Sequence, residues 1–580
     1  MSNTEFLHRL NTVRPKMETS YFRIYQPHRA KEVDFDELLY ALDKASQCRS
    51  AQLKQKDLQQ PWTKDKPCGM LLTPCRDFET EKQLENHAEI LRELGIGWVL
   101  INDENQPCND QREQQVKTWI DAWHQQGFEV GLTLDLSSTT REDPWAELAL
   151  EQAGYRQFYR MSADQKIVSV MSGYDQDQRV EKIEEIGQYV FCTSDHRWLL
   201  EYKNPEVLKH MLMRFVSYAN LGADMILLKG VDECWHEFRQ QALYPQTRDL
   251  VTLFMLVRDL VCPSVLVSAE GKLSCNQLSF VADGSQSAVS VLDSGSMVNA
   301  WNALATRDTC CMKTDMIFHA MENPQLAIRT VRKDGIAWTF NEEAAMSHGW
   351  NPEDHRKFLK EFTEGQGIGS FCDGRVDKKT GMSYGTLASL AGCSRAEANH
   401  EDYELEDGIR RVILMLSLAL VRTGIPLIQS GDEMGWYNDP AYTLDPEKED
   451  DMSWFARPRF IEEKAQRRHL PLTVEYRVFQ ACRKMIRIRQ ENEVIRNGEE
   501  EILTHLDNGL LGFRKQTENQ TMVGVANFTE VPKYCATDQL LKENENGTDW
   551  ISGRKVDHNQ AYLCLKPYEF LWIQINKEEK

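Results

Sequence analysis

The chain has 580 residues, 41% of them hydrophobic and 27% charged, which suits a soluble globular protein of two or more units with ample core. Its 89 acidic residues outweigh 68 basic ones, for a formal net charge of -21. A phosphate-coated partner, whether nucleic acid or an anionic membrane, would repel such a chain and is not expected.

The N-terminus, Met1-Ser-Asn-Thr-Glu-Phe-Leu-His8, has no basic start followed by an apolar run, and no 18-residue apolar segment occurs. A cytoplasmic location is expected. The 15 cysteines are odd in number and scattered, and the closest pair, Cys310-Cys311, has neither metal-ligand nor redox spacing. They read as ordinary buried thiols, with no metal site and no cofactor expected.

Residues 1–65 form an N-terminal helical segment in this reading, with Phe35, Leu38, Leu39 and Leu42 spaced as one apolar stripe. Pro61 and the turn Lys64-Asp-Lys-Pro67 close it. From there short apolar runs alternate with amphipathic helices. The runs are Gly69–Thr73, Gly97–Ile101, Val130–Leu134, Asp224–Leu228, Ser264–Ser268, Val289–Leu292, Ala327–Val331 and Pro426–Gln429. Eight strands separated by helices predict an α/β fold, a (β/α)₈ TIM barrel over 66–490, with insertions at about 137–197 and 341–405. A doubly wound open sheet is the competitor, but no Gly-rich phosphate loop follows the first strand. Beyond about residue 490 the texture changes to short strands with turns, among them Gly509–Phe513, Met522–Ala526, Ala561–Leu565 and Glu569–Ile575. These predict a C-terminal β-sandwich over 491–580.

A barrel of this kind carries its chemistry on the C-terminal ends of its strands. Those ends hold Lys229 after strand four, Glu270 after strand five, Lys333 and Asp334 after strand seven, and Asp432-Glu433 after strand eight. Here the chain resembles the α-amylase superfamily of retaining glycosidases, glycoside hydrolase family thirteen. Gly424-Ile-Pro-Leu-Ile-Gln-Ser-Gly-Asp-Glu-Met-Gly435 resembles that superfamily's eighth-strand motif, and Ala219-Asn-Leu-Gly-Ala-Asp224 the approach to its fourth strand. Trp301-Asn-Ala-Leu-Ala-Thr-Arg307, Ile336-Ala-Trp-Thr-Phe340, Asp451-Met-Ser-Trp454 with Arg457-Pro-Arg459, and Lys566-Pro-Tyr568 are most similar to the amylosucrases.

The resemblance implies three carboxylates: a nucleophilic Asp after strand four, an acid/base Glu after strand five and a sugar-steadying Asp after strand seven. A retaining mechanism needs the first two only ~5 Å apart. Carried over position by position, the acid/base is kept as Glu270 and the third carboxylate as Asp334. The nucleophile position is Lys229, and the Arg two residues before it is Leu227. The His-Asp of strand seven is Lys333-Asp334, with one residue deleted. The Asp and Asn-His of strand three are Thr133 and Ser137-Ser138, and the loop Asn102–Cys108 is shortened. Lys333, Arg457 and Arg459 are the expected substrate-binding residues.

An ammonium at Lys229 cannot attack as a carboxylate does, and it places positive charge where an oxocarbenium-like transition state needs negative charge. Loss of a covalent nucleophile costs on the order of 10⁶ in rate in another enzyme class. The expected role is therefore that of a pseudoenzyme of carbohydrate metabolism that binds a sugar or α-glucan, or modulates a protein partner or second copy of the chain. The alternative is an active α-glycosidase or glucosyltransferase with a reassigned nucleophile. Lys229 is also expected to form an ion pair with Glu270, Asp334 or both.

Overall fold

The computed structural model describes residues 3–25, 30–58, 62, 65–78, 80–103, 109–164, 179–193, 195–236, 244–271, 290–321, 327–333, 335–446 and 448–577. Asp334 and residues 104–108 lie outside them.

Each of the eight apolar runs forms a strand: β1 Cys68–Leu72, β2 Ile96–Ile101, β3 Glu129–Asp135, β4 Met225–Lys229, β5 Leu266–Ala269, β6 Ser290–Asp293, β7 Ala327–Arg329 and β8 Ile425–Gln429. They close a barrel in the order β1-β8-β7-β6-β5-β4-β3-β2. The pairings β2/β3, β3/β4, β4/β5, β5/β6, β7/β8 and β8/β1 are parallel. Parallel strands covered on both faces read as continuous apolar runs rather than alternating ones. Met70, Trp98, Val99, Val130, Met225, Leu227 and Val267 are accordingly all fully buried. The closed order excludes the open-sheet alternative.

By compactness the chain divides into two units, Met1–Thr63 with Trp98–Leu273 and Gln277–Leu292, and Lys64–Gly97 with Ser274–Asn276 and Asp293–Lys580. In the first unit, α1 (Asn3–Ile24) and α2 (Ala30–Cys48) precede a short α3 (Ala51–Lys56). The stripe Phe35, Leu38, Leu39 and Leu42 is buried as expected. Helix α1 packs on the helix Pro245–Val261, and α2 on the helix Pro205–Leu221. Both barrel helices begin on a proline at the first helical turn, where its missing N–H costs nothing. Between β3 and the helix Pro205–Leu221, five short strands within 138–199 make a small antiparallel sheet.

In the second unit, the helix Glu81–Leu94 opens on a capping box of Thr80 and Gln83 and stops at Gly95, whose φ is 91°. Past the helix Val474–Glu491 come β9 Glu499–Ile502, β10 Leu510–Gln516, β11 Thr521–Asn527, β12 Lys533–Ala536, β13 Glu545–Asp549, β14 Lys555–Asp557, β15 Tyr562–Leu565 and β16 Phe570–Lys577. Six of them form an antiparallel sheet in the order β9-β10-β11-β16-β13-β14, and β12 pairs with β15 alone. Val523, Val525, Leu571 and Ile573 of the larger sheet share one core with Cys535, Leu563 and Leu565 of the smaller. Among the described residues no helix is long and apolar enough to cross a membrane, and the described cysteines are free thiols, nearly all of them buried or partly buried.

Candidate functional site at the strand ends

In the first unit, the ends of β3, β4 and β5 bring three charged residues into one row. Asp135 pairs in register with Lys229. Ala269 pairs with Leu228, and the Glu270 amide donates to the Leu228 carbonyl at 2.8 Å, so Glu270 lies beside Lys229 on the other side. Neighbouring strands stand about 4.8 Å apart, and residues side by side in a parallel ladder present their side chains to one face. Along the ladder the backbone of Lys229 thus has an acidic residue on each side. All three residues are half-buried.

Asp135 is held on both oxygens. Oδ1 accepts from the Ser137 amide at 2.7 Å and the Ser137 hydroxyl at 2.8 Å, while Oδ2 accepts from the Ser138 hydroxyl at 2.8 Å and lies 3.0 Å from Nη2 of Arg197. Arg197 also donates through Nε to the Ser138 hydroxyl at 2.9 Å. Ser137 and Ser138, which stand where the resemblance expects Asn and His, therefore serve to fix Asp135. Thr133 is buried one turn of the pleat deeper, where its hydroxyl accepts from the Asp103 amide at 3.3 Å.

The chain leaves β4 through Gly230, with φ 63°, into a short helical turn over Val231–Glu233. A side chain there would be strained by the left-handed backbone and would meet the Ser137 hydroxyl at 2.6 Å. A Cβ at Gly271 would meet the Asp232 carboxylate at 2.6 Å, so Asp232 is pressed against the backbone next to Glu270.

In the second unit the strand ends carry a different set. After β1, Asp77 accepts from the Thr73 amide at 2.6 Å and from the Ser430 hydroxyl that follows β8. Burial pushes Asp77 up to about 6, against Arg457 and Arg76, which favour its charged form. Glu433 is pushed up to about 8, chiefly by burial and further by Asp432 and Asp77. Asp432 receives Nε of Arg332 at 2.9 and 2.7 Å and the Leu387 amide at 3.1 Å. Arg332 is fully buried, and Lys333 after it is half-buried. Arg457 is buried with its guanidinium 5.3 Å from the Trp454 ring, whereas Arg459 is exposed.

Sequence reasoning named Lys229, Glu270, Lys333, Arg457 and Arg459 but passed over Asp135, Arg197, Asp77 and Arg332. For Asp135 the signal was present: it is the last residue of an apolar strand, as Lys229 is. For Arg197 and Asp77 no local signal exists, because Arg197 reaches its partners from 59 residues away and Asp77 bonds Ser430 across 353.

No protein-family model matches the chain. The glucosylglycerate phosphorylase of Spirochaeta thermophila is 36% identical over 72 residues, so the match spans 12% of this chain and 12% of that protein. Solved structures match over far more of the length. The trehalose-6-phosphate hydrolase of Bacillus licheniformis is 12% identical with a TM-score of 0.59, covering 89% of this chain and all of its own. The trehalulose synthase of Pseudomonas mesoacidophila is 12% identical with a TM-score of 0.57 and the same coverage. Mutants of it have been solved with isomaltulose and with glucose. The sucrose 6F-phosphate phosphorylase of Thermoanaerobacter thermosaccharolyticum is 13% identical with a TM-score of 0.58, over 80% of this chain and 94% of its own. At these identities the likeness is one of fold alone, an eight-stranded parallel barrel followed by an antiparallel C-terminal sheet.

Proposed function

We propose that the chain is an amylosucrase-like protein that holds a sugar at its strand ends without cleaving it. The observation that carries this reading is the row Asp135, Lys229, Glu270. In the superfamily's chemistry the fourth strand supplies the attacking carboxylate, and here that strand ends on an ammonium. The adjacent carboxylate, Asp135, has both oxygens engaged by four donors, which lowers its power to attack. Lys333, Asp334, Arg457 and Arg459 are the residues assigned to contact the sugar. Sucrose or an α-glucan is the ligand class, and an effect of occupancy on a partner protein of carbohydrate metabolism, or on a second copy of the chain, would be the output. A cytoplasmic site of action belongs to the same reading.

The test is equilibrium binding of sucrose and malto-oligosaccharides by the full chain, run beside release of reducing sugar. Binding without release is the expected result. A second reading, an active α-glycosidase or glucosyltransferase, draws on Asp135 as the carboxylate nearest in register to Glu270. Turnover that vanishes in both Glu270→Gln and Asp135→Asn would replace the first reading with the second.

A further inference from the structure

One layer of side chains below the row of Asp135, Lys229 and Glu270, the first unit carries a second row. Thr133 pairs in register with Leu227, Leu227 with Ser268, and Ser268 with Ser290. Residues two apart on a strand share a face, so these four present their side chains to the same side as Lys229. That side is the inside of the barrel. The opposite face of β4 is continued by Asp224, whose carboxylate takes Lys56 of α3 and His124 of the helix Asp110–Gln125 from outside.

Barrel interiors are normally filled by bulky branched side chains. Here β5 and β6 set two serines side by side, and both are fully buried. Neither hydroxyl has a hydrogen-bond partner among the described residues, so the two do not bond each other. Thr133 in the same row shows the contrast, because its hydroxyl accepts from the Asp103 amide at 3.3 Å and donates to Oδ1 of Asn102 at 3.4 Å. A buried hydroxyl that meets nothing is costly, and folded proteins pair such groups with protein or with ordered water. Strands ~4.8 Å apart keep neighbouring hydroxyls from touching yet leave both within reach of one small molecule placed between them. The row holds no charged side chain that would draw an ion there. Each hydroxyl offers one donor and two acceptors, and water matches both.

We propose that Ser268 and Ser290 bridge one structural water inside the barrel, directly beneath the layer that holds Lys229 and Glu270. This water belongs to the floor of the candidate site, and the inference does not depend on whether that site binds or cleaves a sugar.

The first test is a crystal structure of the full chain at a resolution that shows ordered water. Density within about 3 Å of both serine hydroxyls is expected. Hydroxyls bonded to each other or to the main chain, or a dry gap between them, overturn the proposal. The second test is a double-mutant cycle in denaturant unfolding, with Ser268→Ala, Ser290→Ala and the two together. A shared water is lost with the first hydroxyl, so each single change should lower the unfolding midpoint and the double change should lower it no further. Dry hydroxyls give the reverse sign, each Ser→Ala raising the midpoint by removing an unpaired group, and that result overturns the proposal. Losses that add in the double variant mean that the serines act separately and overturn the bridge. Sugar binding enters neither readout, so this inference and the function proposed above can fail separately.

Discussion

At the scale of single residues, Lys229 carries the functional argument and the buried acids carry the pH dependence. The purified chain should release no reducing sugar from sucrose or α-glucans above background, and Glu270→Gln should leave that blank unchanged. Lys229→Asp alone should not restore turnover, because Leu227, Thr133, Ser137 and Ser138 also depart from the superfamily pattern. Recovery of activity in that variant would show that one substitution silenced an otherwise intact site. Lys229 should also prove to be ion-paired with Glu270, Asp334 or both, and an experimental structure with its nitrogen more than about 5 Å from both carboxylates and no bridging water would overturn that. Glu433 tests the other half. Its folded pKa, raised to about 8 mainly by burial, lies above the unfolded value. Its contribution is therefore fully present below about pH 4 and lost as pH rises through 8. Asp77, raised to about 6, acts in the same direction over a lower window. Melting temperature should fall between pH 5 and 9, and Glu433→Gln should flatten that fall, recovering on the order of a few kcal/mol at pH 9. A flat wild-type profile would mean that Glu433 is ionised in the folded chain.

At the scale of elements, the N-terminal helices are joined to the starts of the barrel strands by buried charge. Asp57 takes Nε and Nη2 of Arg49 at 2.6 and 2.8 Å and the Ser264 hydroxyl at 2.6 Å, while Arg49 also reaches the Ala219 carbonyl at 2.8 Å. Asp224, at the entry to β4, gathers Lys56, Nε2 of His124 and the Val130 amide. Arg49→Ala leaves Asp57 buried without its guanidinium, which should cost about 3–5 kcal/mol in denaturant unfolding. A loss below about 1 kcal/mol would show that Asp57 is rehydrated and the helices loosely held. These joints also mark what the sequence could and could not disclose. The eight strands were legible because parallel strands buried on both faces leave uninterrupted apolar runs bounded by helix caps such as Gly95 and Gly222. Lys229 and Glu270 were legible because a charge ending an apolar run is conspicuous. The pairings of Asp135 with Arg197, of Arg332 with Asp432 and of Asp77 with Ser430 were not, because each closes through space between residues far apart in the chain. Such side-chain contacts leave no periodicity to read.

At the scale of the whole molecule, the C-terminal sheet bears on how many pieces the second unit melts in. The composition change near residue 490 reads like the border of an independent domain, yet the contacts across it are buried and polar. Lys515 on β10, fully buried, donates to the Val421 carbonyl at 3.0 Å, the Ile495 carbonyl at 2.6 Å and the Thr423 hydroxyl at 2.9 Å. It thereby satisfies the last carbonyl of the helix Asp402–Val421, which has no partner within its own helix. Lys313, in the helix Cys310–Met321, donates the other way, to the Leu506 and Asp507 carbonyls at 3.1 and 3.2 Å, and Thr309 bonds the Asn508 and Leu510 carbonyls. Replacing Lys515 by Met keeps the stem's packing and removes the donors, leaving buried carbonyls unsatisfied at a cost of about 1–3 kcal/mol. Because the Val421 carbonyl and the Thr423 hydroxyl belong to the barrel side, the loss should appear in the melting of the second unit as a whole. A chain ended after Gly498 should lose its near-ultraviolet circular dichroism and its cooperative transition. Calorimetry of the Lys515→Met chain should show that transition moved down intact. A separate transition for β9–β16, unmoved by Lys515→Met, would mean that the sheet is an autonomous lobe and that these buried bonds add little to its attachment.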